Sequence, residues 1–103
     1  MCSDAFGSNF NETLTKRGIA QTNIEYGGFT PSVSNVVFVH GSIDPWHAMG
    51  ITESLSDDAP AIYINGTSHC ADTYSPEPTD PEALTQARQF IGQEIRKWIT
   101  PVP

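Results

Sequence analysis

Reactive side chains concentrate in two short segments of the chain, each directly after an apolar run. The first segment is His40-Gly41-Ser42-Ile43-Asp44-Pro45-Trp46-His47, and the second is Gly66-Thr67-Ser68-His69-Cys70-Ala71-Asp72. A buried carboxylate such as Asp44 can accept a hydrogen bond from the Nδ1–H of a histidine, fix its tautomer and stabilise its protonated form. The order Asp44 then His69 matches the last two members of a Ser…Asp…His series, the order used by α/β-hydrolases.

The two apolar runs that precede these segments predict parallel strands. Residues 36–39 and 61–64 are uniformly apolar rather than alternating, which is typical of strands buried on both faces of a parallel sheet. Residues 48–55 have room for about two turns of a crossover helix between them. Because ligand and catalytic residues gather beyond the carboxyl ends of parallel strands, we expect both reactive segments at one edge of the sheet.

The last predicted element is a long amphipathic helix. Thr79 or Asp80 is expected to cap it, Pro81 suits its first turn, and Pro101 is expected to end it. Its apolar positions follow the three-and-four spacing of a helix that packs on a sheet. These positions are Ala83, Leu84, Ala87, Phe90, Ile91, Ile95, Trp98 and Ile99.

Two strands and one good helix make a poor domain, because each strand needs neighbours to satisfy its edge. We therefore interpret residues 1–35 as a polar lead-in to the sheet, with a short, weakly apolar helix over residues 11–20. Residues 36–103 are interpreted as the C-terminal part of a larger α/β domain that carries the acid and histidine loops.

Composition excludes several classes of protein. The 103 residues hold 12 Asp and Glu against 5 Lys and Arg, a net charge of −7, with no Lys or Arg between Gly18 and Ala87. Nucleic-acid binding needs clustered Lys and Arg, so it is excluded as a function. No apolar run approaches the roughly 20 residues of a membrane span, and the first residues lack the pattern of a signal peptide.

Cysteines and sequons carry weaker signals. Cys2 and Cys70 show no Cys-x-x-Cys spacing, which excludes the usual zinc ribbons. They are free to pair with each other, to pair with cysteines elsewhere, or to stay reduced. The sequons at Asn11 and Asn65 are candidate N-glycosylation sites and matter only in a secreted protein.

The segment from Asn35 to His47, with Asp44-Pro45-Trp46, resembles the acid-bearing segment of one serine-peptidase family. That family comprises prolylcarboxypeptidase, dipeptidyl-peptidase II and thymus-specific serine protease. Residues 66–72 resemble its histidine loop, most closely in the thymus-specific branch. Residues 78–98 are similar to its C-terminal helix, and residues 2–7 and 26–28 resemble its late region before the strand.

The resemblance implies that the chain is the C-terminal fragment of an α/β-hydrolase fold, with Asp44 as triad acid and His69 as general base. The family's nucleophilic Ser lies in an upstream Gly-x-Ser-x-Gly elbow that this chain lacks. Ser68 imitates an elbow, but the stretch ends in Cys, and Pro76 and Pro78 interrupt the helix that should follow. His40 departs from the family, where Asn is more often expected.

The resemblance further implies a serine exopeptidase that cleaves peptides next to proline, needs no cofactor, and works as a lysosomal or secreted glycoprotein. We expect the chain alone to be inactive, since an upstream part of the same enzyme must complete the fold. The terminus that is cleaved, and whether the parent is a homodimer, stay open.

Two other functions stay open beside the peptidase. One is a non-catalytic α/β-hydrolase remnant or binding module, because nothing in the chain replaces the missing serine. The other is a metal-binding hydrolase, although the spacing of its candidate ligands matches no established zinc pattern. Those ligands are His40, Asp44, His47, His69 and Asp72.

Overall fold

Three α-helices and two β-strands form along the chain in the computed structural model, which describes residues 1–100. They are helix α1 (Cys2–Phe6), helix α2 (Glu12–Tyr26), strand β1 (Phe38–Gly41), strand β2 (Ala61–Ile64) and helix α3 (Glu82–Ile99). The chain divides into two compact units, one over Met1–Ser32 and one that begins at Val33. No helix within residues 1–100 combines the length and apolar character needed to cross a bilayer.

Helix α2 is longer than the weak apolar pattern of residues 11–20 predicted. Asn11 caps its start, where the side-chain oxygen accepts a hydrogen bond from the Leu14 N–H at 3.1 Å. Gly27 ends it in the left-handed conformation, with φ of 89°. Because both caps are strong and α2 buries no residue, its ends rather than its apolar face set its length.

The predicted parallel pairing of two short strands is confirmed. β1 and β2 run parallel, with Phe38 opposite Ala61 and Gly41 opposite Ile64. The first strand begins two residues later than predicted, although the Val36 N–H still bonds to the Asp58 carbonyl at 3.3 Å. This register ends both strands at the same level, so the two reactive segments leave the sheet side by side.

The predicted crossover helix over residues 48–55 is wrong. A short 3₁₀ helix forms earlier, at Pro45–Met49, and Gly50 ends it in an extended conformation. Pro45 presets the first helical φ, and the Asp44 carboxylate accepts from the Trp46 N–H, so helical turns begin directly after the strand. The connection then returns to β2 without another helix, through a turn over residues 56–59.

Helix α3 packs on the sheet, as its apolar spacing predicted. Leu84 and Ala87 of α3 join Ile64 of β2 in one buried cluster. Around them lie partly buried apolar side chains, namely Val39, Ile62, Ala71 and Ala83. The apolar positions in the C-terminal half of the helix are less buried than predicted. Glu94 is buried there, whereas Ile95 and Ile99 are exposed. The buried negative charge of Glu94 is paired with Lys97, whose Nζ lies 2.5 Å from the carboxylate.

The predicted capping of α3 is wrong. Pro81 occupies the N-cap position, and no side chain caps the helix. Asp80 is engaged elsewhere, because its carboxylate accepts from the Glu77 N–H at 2.9 Å and from Arg88. Pro101, the predicted end signal, lies outside the described residues.

Candidate active site

Asp44 and His69 meet at the carboxyl edge of the two strands. His69 Nδ1 donates a hydrogen bond to Asp44 Oδ2 across 2.7 Å. Asp44 is almost fully buried, at 3% exposed, whereas the side chain of His69 is 56% exposed. One partner is therefore held inside the fold while the other presents its imidazole to the surface.

The surroundings of Asp44 keep its carboxylate ionised. The hydrogen bond from His69 lowers the pKa of Asp44 below its usual value, burial opposes this shift, and the Trp46 N–H lowers the pKa further. That N–H donates to the second carboxylate oxygen, Oδ1, at 3.0 Å. Since an ionised carboxylate only accepts, Nδ1 of His69 must carry the proton, which leaves the lone pair of the neutral ring on Nε2.

Direct bonds tie the acid loop to the histidine loop. The Ile43 N–H donates to the Thr67 carbonyl at 3.1 Å, and the Gly66 N–H donates to Ser42 Oγ at 2.7 Å. Thr67 is buried, and its hydroxyl donates to the Ile64 carbonyl at 3.1 Å. The backbone directly before His69 is thus fixed against the backbone directly before Asp44.

Gly41 permits this close approach. A Cβ on Gly41 would collide with the Thr67 carbonyl oxygen and would lie 2.6 Å from the Ser68 carbonyl oxygen. Both obstacles are backbone atoms, so they cannot rotate away as a side chain would. Only glycine fits at the end of β1 while the histidine loop keeps this position.

An aromatic ring and a cavity adjoin the pair. Trp46 meets the His69 ring edge-on, with ring centroids 4.7 Å apart, and is itself 55% exposed. A cavity of about 320 Å³ opens beside them. Its lining residues are Val37, Val39, His40, Asp44, Trp46, His69, Cys70, Asp72 and Thr73. The pair therefore borders a space of mixed apolar and acidic character.

The other two histidines have local partners. His47 Nδ1 lies 2.6 Å from the Asp44 carbonyl, and its ring meets Tyr63 edge-on at a centroid distance of 5.3 Å. The ring of His40 packs directly against the backbone of Gly50. Among residues 1–100, no group of three or more His, Cys, Asp and Glu side chains is arranged to hold a metal ion. The geometry thus gives the metal-site alternative no support.

The remaining candidate residues lie at the surface. Ser68 is exposed, and within residues 1–100 its hydroxyl forms no hydrogen bond with an imidazole. Cys2 and Cys70 carry free, exposed thiols in the described part of the chain. Asn11 and Asn65 are exposed, and Asn65 Oδ1 lies 3.5 Å from Ser42 Oγ.

Sequence reasoning missed three residues that shape this site. Sequence reasoning names Gly41 and Ser42 only as part of the segment around Asp44, and it assigns no role to Arg88. Arg88 lies 16% exposed and bonds to the backbone that follows His69. The one available signal was a lone arginine in the buried half of an amphipathic helix, where a partner is needed.

The sequence of the chain is similar to a family of serine peptidases and to several of its members. The family model described as Serine carboxypeptidase S28 matches residues 1–91. Thymus-specific serine protease of Mus musculus is 36% identical over 99 residues, which is 96% of this chain. The protease of the same name from Homo sapiens is 35% identical over 99 residues, again 96% of the chain. Lysosomal Pro-X carboxypeptidase of Mus musculus is 33% identical over 75 residues, or 72% of the chain.

The matches cover only part of each relative. The chain spans 19% of the length of the two thymus-specific proteases and 15% of the carboxypeptidase. No solved structure shows significant similarity to the chain. The family match nevertheless covers most of the sequence, including both loops that meet at the sheet edge, and it confirms the resemblance drawn from the motifs. The chain belongs to the Serine carboxypeptidase S28 family.

Proposed function

We propose that this chain is the C-terminal part of an α/β-hydrolase-fold serine exopeptidase that cleaves next to proline. In this proposal Asp44 is the acid of the catalytic triad and His69 is its general base. The parent enzyme is the product of the complete coding sequence that contains these residues, and its upstream part supplies the nucleophilic serine.

The observation that carries the proposal is the bond between His69 Nδ1 and Asp44 Oδ2, 2.7 Å long, with the carboxylate buried and the imidazole exposed. A general base needs its far nitrogen open to the substrate and its near nitrogen held by an orienting group. Nε2 of His69 forms no hydrogen bond within residues 1–100, so it is free for a serine from outside them.

In the proposed reaction, the serine hydroxyl attacks the carbonyl carbon of the scissile peptide bond while its proton passes to Nε2 of His69. The buried Asp44 carboxylate stabilises the imidazolium that forms and keeps the ring in its productive orientation. His69 then returns the proton to the leaving amine, and a water activated in the same way releases the acyl group.

Exposed apolar surface supports a larger parent fold. Only four apolar side chains are buried in the described residues, and the sheet there has two strands. The unit that begins at Val33 also exposes large apolar side chains on several elements. They include Ile43, Met49, Tyr74, Phe90, Ile95 and Ile99. Such surface is typical of a face that packs against further structure.

The names of the relatives support the choice of substrate and location. One relative is named a Pro-X carboxypeptidase and a lysosomal protein, and the family description is that of a serine carboxypeptidase. We therefore favour release of a residue that follows proline at a peptide C-terminus, with dipeptide release from the N-terminus as the other candidate. On the name of that relative we propose a lysosomal or secreted location, and we propose that Asn11 and Asn65 carry glycans.

The test uses the parent enzyme with proline-containing peptides blocked at one end or the other, and a serine-reactive probe to label the nucleophile. Asp44→Asn is expected to lower kcat by about 10⁴-fold, as the same change does in a well-studied serine-protease triad. His69→Ala is expected to abolish both turnover and rapid labelling. Asp57→Asn is the matched control, because Asp57 is exposed and lies away from both loops.

Three results separate the alternatives. Full activity in Asp44→Asn and His69→Ala would show that the triad has been misassigned. A folded parent enzyme that neither cleaves peptides nor reacts with the probe would favour the non-catalytic remnant. Cleavage of peptides blocked at the C-terminus, but not of those blocked at the N-terminus, would replace the carboxypeptidase with the dipeptidyl-peptidase.

A further inference from the structure

Arg88 reaches from helix α3 to the backbone that follows His69. Its Nη2 donates to the Ala71 carbonyl at 3.0 Å, and its Nε donates to the Asp72 carbonyl at 3.2 Å. Its Nη1 bonds to the Asp80 carboxylate at 2.5 Å. The guanidinium is only 16% exposed and Asp80 only 18%, so this fork is held in a fixed, sheltered position.

The backbone that Arg88 holds makes a sharp turn immediately after His69. Cys70 adopts the left-handed conformation, with φ of 56° and ψ of 26°, which is unfavourable for a residue with a Cβ. A single 3₁₀ turn, Ala71–Thr73, follows, and the Thr73 hydroxyl donates to the Cys70 carbonyl at 2.7 Å. An unfavourable turn of this kind persists only where the surroundings hold it in place.

The two flanks of His69 are held in different ways. Before it, the Thr67 carbonyl accepts from the Ile43 N–H, so that flank is tied to the sheet edge by backbone bonds. After it, Ala71 packs against the buried cluster, and the hydrogen bonds that join this flank to the rest of the described fold come from the Arg88 side chain. The His69 side chain is itself 56% exposed, so its orientation depends on its backbone, on the bond to Asp44 and on the edge-on contact with Trp46.

We propose that Arg88 is a positioning residue for His69: its fork, braced by Asp80, fixes the turn after His69 and so holds Nδ1 in line with the Asp44 carboxylate. The proposal rests on the proposed function in that it takes His69 as the base. Arg88 itself is 19 positions beyond the base on another element, and its hydrogen bonds go to two carbonyls and to the Asp80 carboxylate rather than to His69 or Asp44.

A lysine could not reproduce this arrangement. The guanidinium presents several N–H donors in one plane, and here it serves two carbonyls and one carboxylate together. An ammonium is a compact charge on a flexible stem. It can pair with Asp80 or with one of the two carbonyls, but it cannot hold both carbonyls in their present orientation. Arg88→Lys therefore tests whether the fork, rather than the positive charge, positions the loop.

The experiment compares three variants of the parent enzyme, which are Arg88→Gln, Arg88→Lys and Arg96→Gln. Arg96 is the matched control, because it lies exposed on the same helix and its Nε bonds only to the Gly92 carbonyl of that helix. Two readouts are recorded at a temperature where every variant is folded. One is kcat and KM on a proline-containing peptide, and the other is the far-downfield proton NMR signal of the His69 Nδ1–H.

We expect Arg88→Gln to lower kcat by about 10²-fold with KM nearly unchanged, which is the loss expected from a misplacement of about 1 Å. The His69 signal should broaden or vanish as the Nδ1–H exchanges with water. Arg88→Lys should recover only part of each readout, and Arg96→Gln should match the wild type. If Arg88→Gln does not fold, Asp80→Ala replaces it, because that change removes the acceptor that braces the fork and leaves the arginine.

The two readouts keep this inference apart from the proposed function. If Arg88→Gln leaves both the His69 signal and kcat unchanged, Arg88 has only a structural role and the inference is overturned, even where the melting temperature falls. A parent enzyme without turnover whose His69 signal still depends on Arg88 would instead contradict the proposed function and support the positioning role.

Discussion

Replacing Gly41 by alanine adds a methyl group at the end of strand β1, where the strand contacts the backbone that precedes His69. The new Cβ would collide with the Thr67 carbonyl oxygen and lie 2.6 Å from that of Ser68. Close carbon–oxygen contacts in proteins lie at about 3.3–3.6 Å. Relief of the Ser68 contact alone therefore requires the histidine loop to retreat by about 0.7–1 Å, and relief of the closer Thr67 contact requires more.

That retreat acts directly on the proposed base. Thr67 and Ser68 immediately precede His69, and the Ile43 N–H bond to Thr67 must stretch as the loop moves. A misplacement of about 1 Å in an active site can cost about 10²-fold in activity. Overpacking of this kind costs about 1–3 kcal/mol in the free energy of unfolding. We therefore expect Gly41→Ala to retain the fold, with lower stability, and to lose about 10²-fold in kcat.

The assay measures kcat of the parent enzyme together with its denaturant unfolding midpoint. Gly92→Ala is the matched control, because Gly92 lies in helix α3 and its Cβ would meet only the tip of Arg96, at 3.7 Å. Alanine in a helix interior is favoured over glycine by about 0.5–1 kcal/mol, so Gly92→Ala should be slightly stabilising with unchanged kcat.

Two results would refute the reasoning about Gly41. If Gly41→Ala keeps wild-type kcat and stability, the strand and the loop do not approach as closely as the structure places them. If it loses stability but keeps kcat, the loop moves without disturbing His69, and the link between Thr67 and the base is wrong.

Three further predictions concern acid stability, the isolated chain and glycosylation. Because the pKa values of Asp44 and Asp80 are lowered in the folded state, the unfolded state binds more protons in acid. The contribution of these two carboxylates to the free energy of unfolding should therefore be constant above about pH 5 and fall as the pH drops through 4, less steeply in Asp80→Asn, as denaturant melts at several pH values will show. The 103-residue chain alone should neither cleave proline-containing peptides nor react with a serine-reactive probe, and turnover with labelling would contradict the proposed mechanism. Asn11→Gln and Asn65→Gln should each remove one glycan, seen as a mass loss that is only part of the loss from glycosidase treatment, which removes every N-glycan. A secreted wild type of unmodified mass would contradict this.

The parts of the fold that the sequence made predictable are those set by local chemistry. Two apolar runs, each followed by a reactive segment, predicted the parallel pair and its common edge, because strand polarity alone decides where the loops emerge. The conformation of the connection between the two strands, predicted as a helix over residues 48–55, was not predictable in the same way. Its apolar content fits a short helix, but Pro45 and the Asp44 cap start helical turns earlier, and Gly50 ends them.

The contacts that hold the site depend on tertiary structure, and so the sequence concealed them. Asp80 has the composition and position of a helix cap, yet it pairs with Arg88 because α3 carries that guanidinium to the turn after His69. Gly41 looks like an ordinary strand terminator until the Thr67 carbonyl is brought against it. Such residues become recognisable only when two elements distant in the chain have been placed together.

Few contacts set the geometry of the Asp44–His69 pair. Parallel register brings Gly41 level with Ile64, one backbone bond joins the loops, and Arg88 closes the far flank. All of these contacts lie between residues 41 and 88, so the pair can be arranged correctly in a chain with a small core. Orientation of the proposed base and catalysis by it are therefore separable: the first depends on contacts within residues 41–88, and the second needs a nucleophilic serine, which the proposed function places outside this chain.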